Sequence, residues 1–587
     1  MPKDKLLVLT TPPEQADYSH YCVVNIGPWC KNESDIELNR SLEDFPLIFS
    51  KDTIYTDNFV DRIIGPLGDA LNNVHNKTHS IKYWRAILSS WLAQFVGTLV
   101  DRIGALKFAT EGQHIDSILI SKQARRVVPE NTYHSMKLCA DSDSFNQYLF
   151  ERIYFFLFKS DSHSFKYFKE GVEPDILTTQ NLKGRILNTR RNIVFKFLKL
   201  ISRFRKVLVT NTAMSVSLQK KILFKTSILP FFATNDFVGK GAEINDGLRL
   251  FVRDRISDIA CNKKEVLLID LICHFLPKNF VEDFSDFYSY SSKAYNLAFQ
   301  KLFIGVELYN NSSFMHFVGI SRENGATVKG IQHGGRSGTE YTAFQEIVEH
   351  KNVDCFYTWG WKWVYQRDFF ELKPMPSPKL IDQYLLKDSN ASTNGMILFG
   401  ITSVNKFVSR IGAFDNVYSV KKYMKWQRMF IYALDHEARS KFILRGHDNE
   451  RGWNYSEQLK LNNITIKFDK HDKSFKDSLE SCELYVSDHL STTWIESLFI
   501  NKPTILYWDN IYNINKHTRY YFEELKRVSI LHDSSLSAAK IINDIHDDVE
   551  TWWQDKERQE VVQKVCKKFA IMTDDPIHSW IDELNNF

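Results

Sequence analysis

Side chains that could hold a phosphate and a sugar gather in one stretch near the C-terminal end of the chain. Residues 484–486 form a short apolar run, a polar turn follows, and helical spacing of apolar residues resumes at about residue 493. The turn and the helix start offer hydroxyl groups and one carboxylate, namely Ser487, Ser491, Thr492, Thr493 and Glu496. Ligands of open α/β sheets bind where strands end, so we predict a nucleotide here, with its phosphate on the hydroxyls and its ribose on Glu496. An ordinary capped helix with a solvated Glu496 would show the same pattern.

A second candidate lies where another predicted strand, residues 328–331, ends. Two glycines follow a histidine there, and glycine allows a ligand to approach the backbone closely. Histidine titrates near neutral pH, so we predict that His333 acts as a general base or neutralises a phosphate. The turn and the tryptophans downstream of it are assigned to the acceptor side of a cleft: Gln332, Gly334, Gly335, Trp359 and Trp361. The alternative is a turn histidine that makes one structural hydrogen bond.

Two cationic side chains follow a predicted strand at residues 442–444. Arg445 and His447 would emerge at the carboxyl end of that strand, on the same sheet edge as the turn at 487–493. Fixed cations beside hydroxyl groups are what a nucleoside phosphate needs. We therefore include both residues in the predicted nucleotide site.

The composition excludes several classes of protein. A chain of 587 residues is too long for one core, and 43% hydrophobic with 25% charged residues is typical of a soluble globular protein. Neither a membrane-spanning apolar run nor a signal peptide is apparent. The eight cysteines include no CxxC pair, so we predict no metal site, no disulfide framework and a cytoplasmic location.

Charge is concentrated in residues 176–235, which contain 12 Lys or Arg and no acidic residue. Within 183–208 the apolar residues share one helical face and most of the cations lie opposite. Such a basic amphipathic helix favours peripheral binding to an anionic inner-membrane surface, although a core helix with a solvated basic face fits as well. No nucleic-acid-binding motif accompanies the charge, so nucleic acid is not an expected partner.

The order of predicted elements indicates an α/β protein with two Rossmann-like domains. We assign 1–370 to an N-terminal acceptor-side domain with helical insertions and 371–394, which is rich in Pro and then in Ser and Asn, to a linker. Residues 395–550 alternate strands and helices, as a parallel sheet requires. Tryptophan-rich helices at 551–587 are expected to pack back on the N-terminal domain.

Several of these motifs together resemble a family of large bacterial transferases found in surface-polysaccharide gene clusters. The shared stretches are Gln332–Gly335, Trp359–Trp361, 487–497, the helix at 84–102 and the run at 276–282. The resemblance covers most of the chain and implies a GT-B fold, in which two Rossmann-like domains face a central cleft. It also implies a glycosyltransferase that needs no metal and no cofactor beyond its nucleotide-sugar donor, with a lipid-linked or polysaccharide acceptor.

More distantly, the Arg445/His447 and Ser491–Thr493 pair is similar to the nucleotide-binding motifs of CMP-sugar enzymes, which include sialyltransferases and Kdo transferases of lipopolysaccharide O-antigen and capsule assembly. Asp448 departs from that pattern, because sialyltransferases have Pro after the histidine. Two alternatives are a polyol-phosphate transferase like those of teichoic-acid synthesis and a non-catalytic sugar-binding scaffold.

A carboxylate must also act in such an enzyme, as a base for inversion or as a nucleophile for retention. Glu282 and Glu346 are the candidates, because both lie in stretches that match the family pattern. Glu346 fits a solvated helix residue equally well.

Overall fold

The structure is a computed structural model in which strands and helices alternate along the chain. All ladders between its strands are parallel. The residues that it describes are 3–12, 18–30, 49–122, 125–158, 164–168, 207–210, 214–226, 228–231, 236–239, 241–295, 301–304, 308–340, 348–363, 370–385, 393–409, 420–446, 453, 466–508 and 514–586.

The first sheet has four strands. They are β1 (Lys5–Val8), β2 (Cys22–Asn25), β3 (Ser117–Ser121) and β4 (Ser164–Phe168). Their order in space is β2-β1-β3-β4. β3 is buried along its whole length, as expected for a parallel strand covered on both faces. The sequence analysis assigned residues 1–370 to one domain and did not separate this sheet from the one that leads to His333.

The second sheet has six strands and leads to the predicted histidine turn. They are β5 (Val207–Thr210), β6 (Ile228–Phe231), β7 (Lys301–Ile304), β8 (Thr327–Ile331), β9 (Cys355–Thr358) and β10 (Glu371–Pro374). Their order is β10-β9-β8-β7-β5-β6. β8 ends immediately before Gln332 and β9 ends immediately before Trp359, so both turns lie at the same carboxyl edge.

The third sheet forms the C-terminal domain. Its strands are β11 (Ile397–Gly400), β12 (Phe442–Arg445), β13 (Lys467–Phe468), β14 (Leu484–Ser487), β15 (Thr504–Tyr507) and β16 (Leu531–His532). The order β13-β12-β11-β14-β15-β16 is the 3-2-1-4-5-6 order of a Rossmann sheet. The predicted α/β class with two Rossmann-like sheets is confirmed. In such a sheet the ligand crevice lies between the first and fourth strands, here β11 and β14.

Helices cover the three sheets. In the N-terminal half they are α1 (Phe49–His75), α2 (Ile81–Thr110), α3 (Thr132–Asp141), α4 (Asp143–Leu157), α5 (Val216–Lys225), α6 (Asp246–Ile256), α7 (Lys263–Phe275), α8 (Phe284–Ala294) and α9 (Ser312–Glu323). Beyond β10 they are α10 (Ile381–Leu385), α11 (Val420–Ala433), α12 (His436–Ser440), α13 (Phe475–Ser481), α14 (Thr493–Phe499), α15 (Lys516–Arg527), α16 (Ser535–Ile545), α17 (Val549–Trp553), α18 (Lys556–Phe569) and α19 (Pro576–Asn585).

The long helix α2 is the centre of the N-terminal core. It is buried on most sides, packs against α1 and α9, and encloses Trp84 and Trp91. A helix that is apolar all round must be covered by other elements. Among the described residues, no helix combines the length and apolar character that crossing a bilayer requires.

The C-terminal helix α19 returns to the second sheet. Glu583 accepts hydrogen bonds from Tyr357 Oη and from Lys329 Nζ, the latter at 3.1 Å, and it pairs with Lys373. Trp580 Nε1 donates to the Pro376 carbonyl at 3.0 Å. These polar contacts attach the C-terminal helix α19 to β8, β9 and β10 of the second sheet and to Pro376 just beyond it.

Two sequence expectations change in the structure. Residues 371–374, predicted as the start of the linker, form β10 because their backbone pairs with β9. The predicted basic helix at 183–208 lies outside the described residues except for Val207 and Leu208. Those two residues begin β5, whose partners are β6 and β7, so the helix cannot extend to residue 208.

Candidate active site

The turn that carries His333 is supported from beneath by Gln332. The Gln332 Oε1 atom accepts from Trp359 N and from Trp361 Nε1, both at 2.8 Å, and its Nε2 donates to the Gly334 carbonyl at 2.8 Å. The side chains of Gln332, Trp359 and Trp361 are at most 2% exposed. The structure therefore corrects the prediction that these three residues line an acceptor cleft, since burial leaves them no accessible surface. They fix the turn instead.

His333 lies beside Glu349, which belongs to a helical turn at 348–350 shortly before β9. His333 Nδ1 and Glu349 Oε1 are 3.7 Å apart, and the two side chains are 24% and 12% exposed. A carboxylate close to Nδ1 can orient an imidazole. The predicted carboxylate Glu346 lies outside the described residues. Glu349, three positions further on, is the carboxylate that the structure brings to His333.

A mainly apolar cavity lies beside Glu349. Its wall includes Gly330 and Ile331 at the end of β8, and its polar lining residues include Glu349 and Asn352. The Asn352 Nδ2 atom donates to the Val348 carbonyl and to Ser89 Oγ, while its Oδ1 is buried without a hydrogen-bond partner among the described residues. The cavity therefore joins an apolar wall to the hydrogen-bond acceptors of Glu349 and Asn352.

Gly334 and Gly335 face the C-terminal domain. A Cβ atom on Gly334 would lie 2.7 Å from Thr492 Oγ1, and one on Gly335 would lie 2.4 Å from Ile495 Cγ2. Neither position tolerates a side chain without movement of the neighbour. The glycines were predicted to leave room for a sugar, but the structure shows that they let two domains meet.

The crevice between β11 and β14 contains residues that sequence reasoning missed. Asp488 is buried at the end of β14 and accepts from Tyr423 Oη and Gln427 Nε2, both at 2.9 Å. His489 Nδ1 donates to Asp488 Oδ1 at 2.9 Å, and Ser487 is fully buried beside them. The carboxylate thus fixes the tautomer of a buried histidine at the position where Rossmann sheets bind ligands. Asp488 and His489 lie between the predicted strand and the hydroxyl run, and this position in the sequence could have identified them as site residues.

The predicted hydroxyl groups gather at the start of α14. Ser491 Oγ and Thr493 Oγ1 are 3.0 Å apart, and Thr492 Oγ1 accepts from Gly335 N at 3.3 Å. Glu496 is largely buried and pairs with Lys379 Nζ at 2.6 Å. The structure therefore brings the two predicted motifs, the histidine turn and the hydroxyl run, into direct contact.

Arg445 forms an ion pair within the C-terminal domain, away from the hydroxyl run. Its Nη1 pairs with Asp469 at 2.8 Å and donates to Ser478 Oγ at 3.0 Å. Although burial acts in the opposite direction, the backbone N–H of His471 and the Arg445 guanidinium hold the pKa of Asp469 below its usual value. The structure gives Arg445 a role in holding β12 to the next strand and helix. His447 lies outside the described residues.

Glu282 forms a buried ion pair. Both of its oxygens bind the Arg249 guanidinium, at 2.8 and 2.7 Å, and Oε1 also accepts from Asn245 N at 3.0 Å. The Arg249 and Glu282 side chains are 3% and 4% exposed. The structure does not bring Glu282 to His333, and its contacts indicate that it holds α6 to the start of α8 rather than reacting.

One group of possible metal ligands occurs among the described residues, and it lies away from the histidine turn. It consists of Glu437, His546 and Asp547. Lys441 Nζ is 3.3 Å from His546 Nδ1 and 3.2 Å from Asp547 Oδ1, so a protein cation already contacts two of the three members. Lys441 immediately precedes β12, which places the group at the amino edge of the sheet.

Comparison with known proteins gives a family and several distant structural neighbours. A family model described as "LIC12162 family transferase" matches residues 5–584. No curated protein matches the chain. Similar solved structures include the wall teichoic acid polymerase TagF, with 10% identity, 69% of this chain and 95% of that chain covered, and a TM-score of 0.33.

Two further neighbours carry nucleotide ligands in their descriptions. The pneumococcal O-GlcNAc transferase GtfA in complex with UDP and GlcNAc is 11% identical, with 51% of this chain and 59% of that chain covered and a TM-score of 0.31. UGT71G1 of Medicago truncatula complexed with UDP-glucose is 9% identical, with 65% and 98% covered and a TM-score of 0.34. No substrate is carried over from these proteins to this chain.

Proposed function

Since this chain belongs to the LIC12162 family of transferases, we propose that it is a glycosyltransferase that moves a sugar from a nucleotide donor to a bacterial surface glycan. The observation that carries the proposal is the contact between two strand-end motifs. Gly335 N of the histidine turn donates to Thr492 Oγ1 of the hydroxyl run at 3.3 Å. A transferase needs a donor-binding group and a proton acceptor within reach of one reacting bond, and this contact brings both together.

The donor is assigned to the C-terminal domain, in the crevice between β11 and β14. Ser491, Thr492 and Thr493 supply hydroxyl groups for the phosphate, and Glu496 is the carboxylate for the ribose. Lys379 already pairs with Glu496 and adds a cation at the same place. The sequence resemblance to CMP-sugar enzymes supports a CMP-linked donor, with Kdo or another nonulosonic acid as the sugar.

The chemistry is assigned to His333 with Glu349 behind it. His333 Nε2 takes the proton from an acceptor hydroxyl while that oxygen bonds to the anomeric carbon of the donor sugar. The bond from that carbon to the phosphate oxygen breaks, and the nucleotide leaves with the electron pair. Glu349 at Nδ1 holds the ring and stabilises the imidazolium that forms. The cavity beside Glu349 is the proposed entry for the reacting part of the acceptor. No step in this scheme requires a metal ion.

The acceptor is proposed to be a lipid-linked or polysaccharide chain presented at the inner membrane surface. The acid-free segment at 176–235, with its 12 Lys or Arg, supports binding to anionic lipid. Co-sedimentation with anionic vesicles should weaken as salt rises. Equal binding to neutral vesicles would contradict this part of the proposal.

The donor assignment is tested by thermal shift with CMP, CDP, UDP and GDP at equal concentrations. A ligand that binds the folded state raises the unfolding temperature, and CMP should do so most. A polyol-phosphate transferase would hold both phosphates of a CDP-linked donor and release CMP, so stronger stabilisation by CDP than by CMP would favour that alternative. No stabilisation by any of the four would favour a scaffold.

A matched pair of variants then locates the nucleotide. Thr493→Val removes a hydroxyl at the start of α14, and Ser534→Ala removes the capping hydroxyl of α16 in the same domain. The first should abolish most of the CMP-induced shift and the second should leave it intact. Equal shifts in both variants would contradict the placement.

A further inference from the structure

Residues 335–339, which follow β8 and Gln332–Gly334, contact the C-terminal domain at their N-terminal end. Trp494 Nε1 donates to the Gly335 carbonyl at 3.1 Å, and Gly335 N donates to Thr492 Oγ1 at 3.3 Å. A Cβ atom on Gly335 would also lie 3.3 Å from Thr492 Cα. Both backbone polar groups of Gly335 are therefore satisfied by the start of α14, which belongs to the C-terminal sheet.

The C-terminal end of the same segment also contacts the C-terminal domain. Asn515 N donates to the Thr339 carbonyl at 2.9 Å, and Thr518 Oγ1 donates to the Gly338 carbonyl at 2.9 Å. Asn515 caps α15 and Thr518 lies in its first turn. Hydrogen bonds from α14 and from the start of α15 thus fix residues 335–339 at both ends of the segment.

These contacts share one property, which is that each reaches a backbone atom of the segment. Backbone contacts fix the path of the chain, and the path of the chain determines the positions of its side chains. His333 lies two residues before Gly335, while Glu349 belongs to the N-terminal domain. The spacing between the His333 ring and Glu349 is therefore set from one side by Gln332 and from the other by the C-terminal domain.

We propose that Trp494 is a positioning residue for His333. Its indole N–H holds the Gly335 carbonyl, and through it the histidine turn, so the base is in place only while the two domains are in contact. Thr518 supports the same segment from its far end. This inference rests on the proposed function, in which His333 is the base. It adds that the domain assigned to the donor also sets the geometry of the residue assigned to the acceptor.

Two buried tryptophans allow a matched test. Trp494 and Trp553 are both fully buried, and each donates its indole N–H to a backbone carbonyl, of Gly335 at 3.1 Å and of Asn501 at 3.0 Å. Trp494→Phe and Trp553→Phe therefore make the same chemical change, and only the first touches the histidine turn. Thr518→Val, which keeps the shape of the side chain, is the second probe of the segment.

The readouts are the pH dependence of kcat and the affinity for CMP. Trp494→Phe should lower kcat by about 10- to 100-fold and displace the limb of the pH profile that reports His333, with CMP affinity within about twofold. Thr518→Val should act in the same direction with a smaller loss. Trp553→Phe should change neither quantity.

Three outcomes separate the two proposals. An unchanged pH profile in both Trp494→Phe and Thr518→Val, while His333→Ala is impaired, would overturn the positioning role and leave the base assignment standing. An equal loss in Trp494→Phe and Trp553→Phe would also overturn it, because general destabilisation would then explain both. Normal turnover in His333→Ala would remove the base assignment of the proposed function and the positioning role with it, while transferase activity itself would stand.

Discussion

Two carboxylates of the N-terminal half contact basic side chains, but the two pairs differ in distance and in exposure to solvent. Glu282 and Arg249 form a bidentate pair at 2.8 and 2.7 Å with almost no exposure. Glu349 and His333 are 3.7 Å apart, and both side chains keep some contact with solvent. A buried pair with every oxygen engaged has no capacity left for a substrate, whereas a looser pair can tighten when a ligand arrives. Geometry therefore separates the carboxylate that stabilises the fold from the one assigned to chemistry, although the sequence favoured the former.

The largest expected effect comes from breaking the tight pair. Glu282→Ala leaves the Arg249 guanidinium buried without its counterion, so the free energy of unfolding should fall by about 3–5 kcal/mol. Urea denaturation measures that loss, and turnover per folded molecule should be unchanged. The double variant Glu282→Leu with Arg249→Leu is the control, since removing both charges should recover much of the stability. A specific loss of turnover in folded Glu282→Ala would place that residue back in the mechanism.

A smaller and opposite effect is expected from the loose pair. Glu349→Gln keeps the shape of the side chain but removes the charge that stabilises the imidazolium, so kcat should fall by about 10- to 100-fold. The free energy of unfolding should change by no more than about 1 kcal/mol, because the pair is part-exposed and poorly aligned. Steady-state kinetics and urea denaturation on one preparation give both numbers. A large loss of stability with normal turnover would make this pair structural as well.

The smallest effect concerns a third carboxylate, Asp283. It extends the comparison because no basic side chain forms an ion pair with it among the described residues. Asp283 Oδ2 and Glu130 Oε2 are buried, have no hydrogen-bond partner among the described residues, and both face Gly239. Lys278 Nζ binds only the other oxygen of Glu130, at 3.0 Å. Burial, followed by the charge of Glu130, raises the pKa of Asp283 above its usual value.

A raised carboxyl pKa means that the folded state holds the proton to higher pH than the unfolded chain does. Asp283 should therefore cost stability progressively as pH rises from its unfolded pKa of about 3.9 through its folded value. Asp283→Asn mimics the protonated group, so its unfolding temperature should exceed that of the natural protein at neutral pH. The gain should shrink toward acid pH. A pH-independent difference between the two proteins would contradict the raised pKa.

The sequence predicted most of the elements but not the contacts between distant ones. Apolar runs marked the strands of the C-terminal sheet, because buried parallel strands are apolar throughout, and helical spacing marked α2. The histidine turn was also visible, since glycines and a histidine follow a strand. Which histidine can react was not readable from composition. His350 is adjacent to Glu349 in sequence, whereas His333 is 16 residues away. Burial lowers the pKa of His350 to about 3, and only the fold shows that.

The residues whose roles the sequence misassigned or missed depend on tertiary contacts. Trp359 and Trp361 are polar enough to line a cleft, and nothing local indicates that both would donate to Gln332. Glu282 lies in a stretch that matches the family pattern, but its partner Arg249 is 33 residues away in sequence. Asp488 acquires its role from Tyr423 and Gln427 on α11, another element altogether. Local pattern gives the position of a side chain on its own element and not the group that it meets.

The central claim is that His333 is the base of a site whose donor is held by the other domain. The most direct test measures kcat and nucleotide affinity together in His333→Ala, with the donor whose nucleotide the thermal-shift panel identifies. We predict a fall in kcat of about 10²- to 10⁴-fold with nucleotide affinity nearly intact. Normal turnover would contradict the account by removing His333 from the chemistry, and loss of nucleotide binding would contradict it by moving His333 to the donor site.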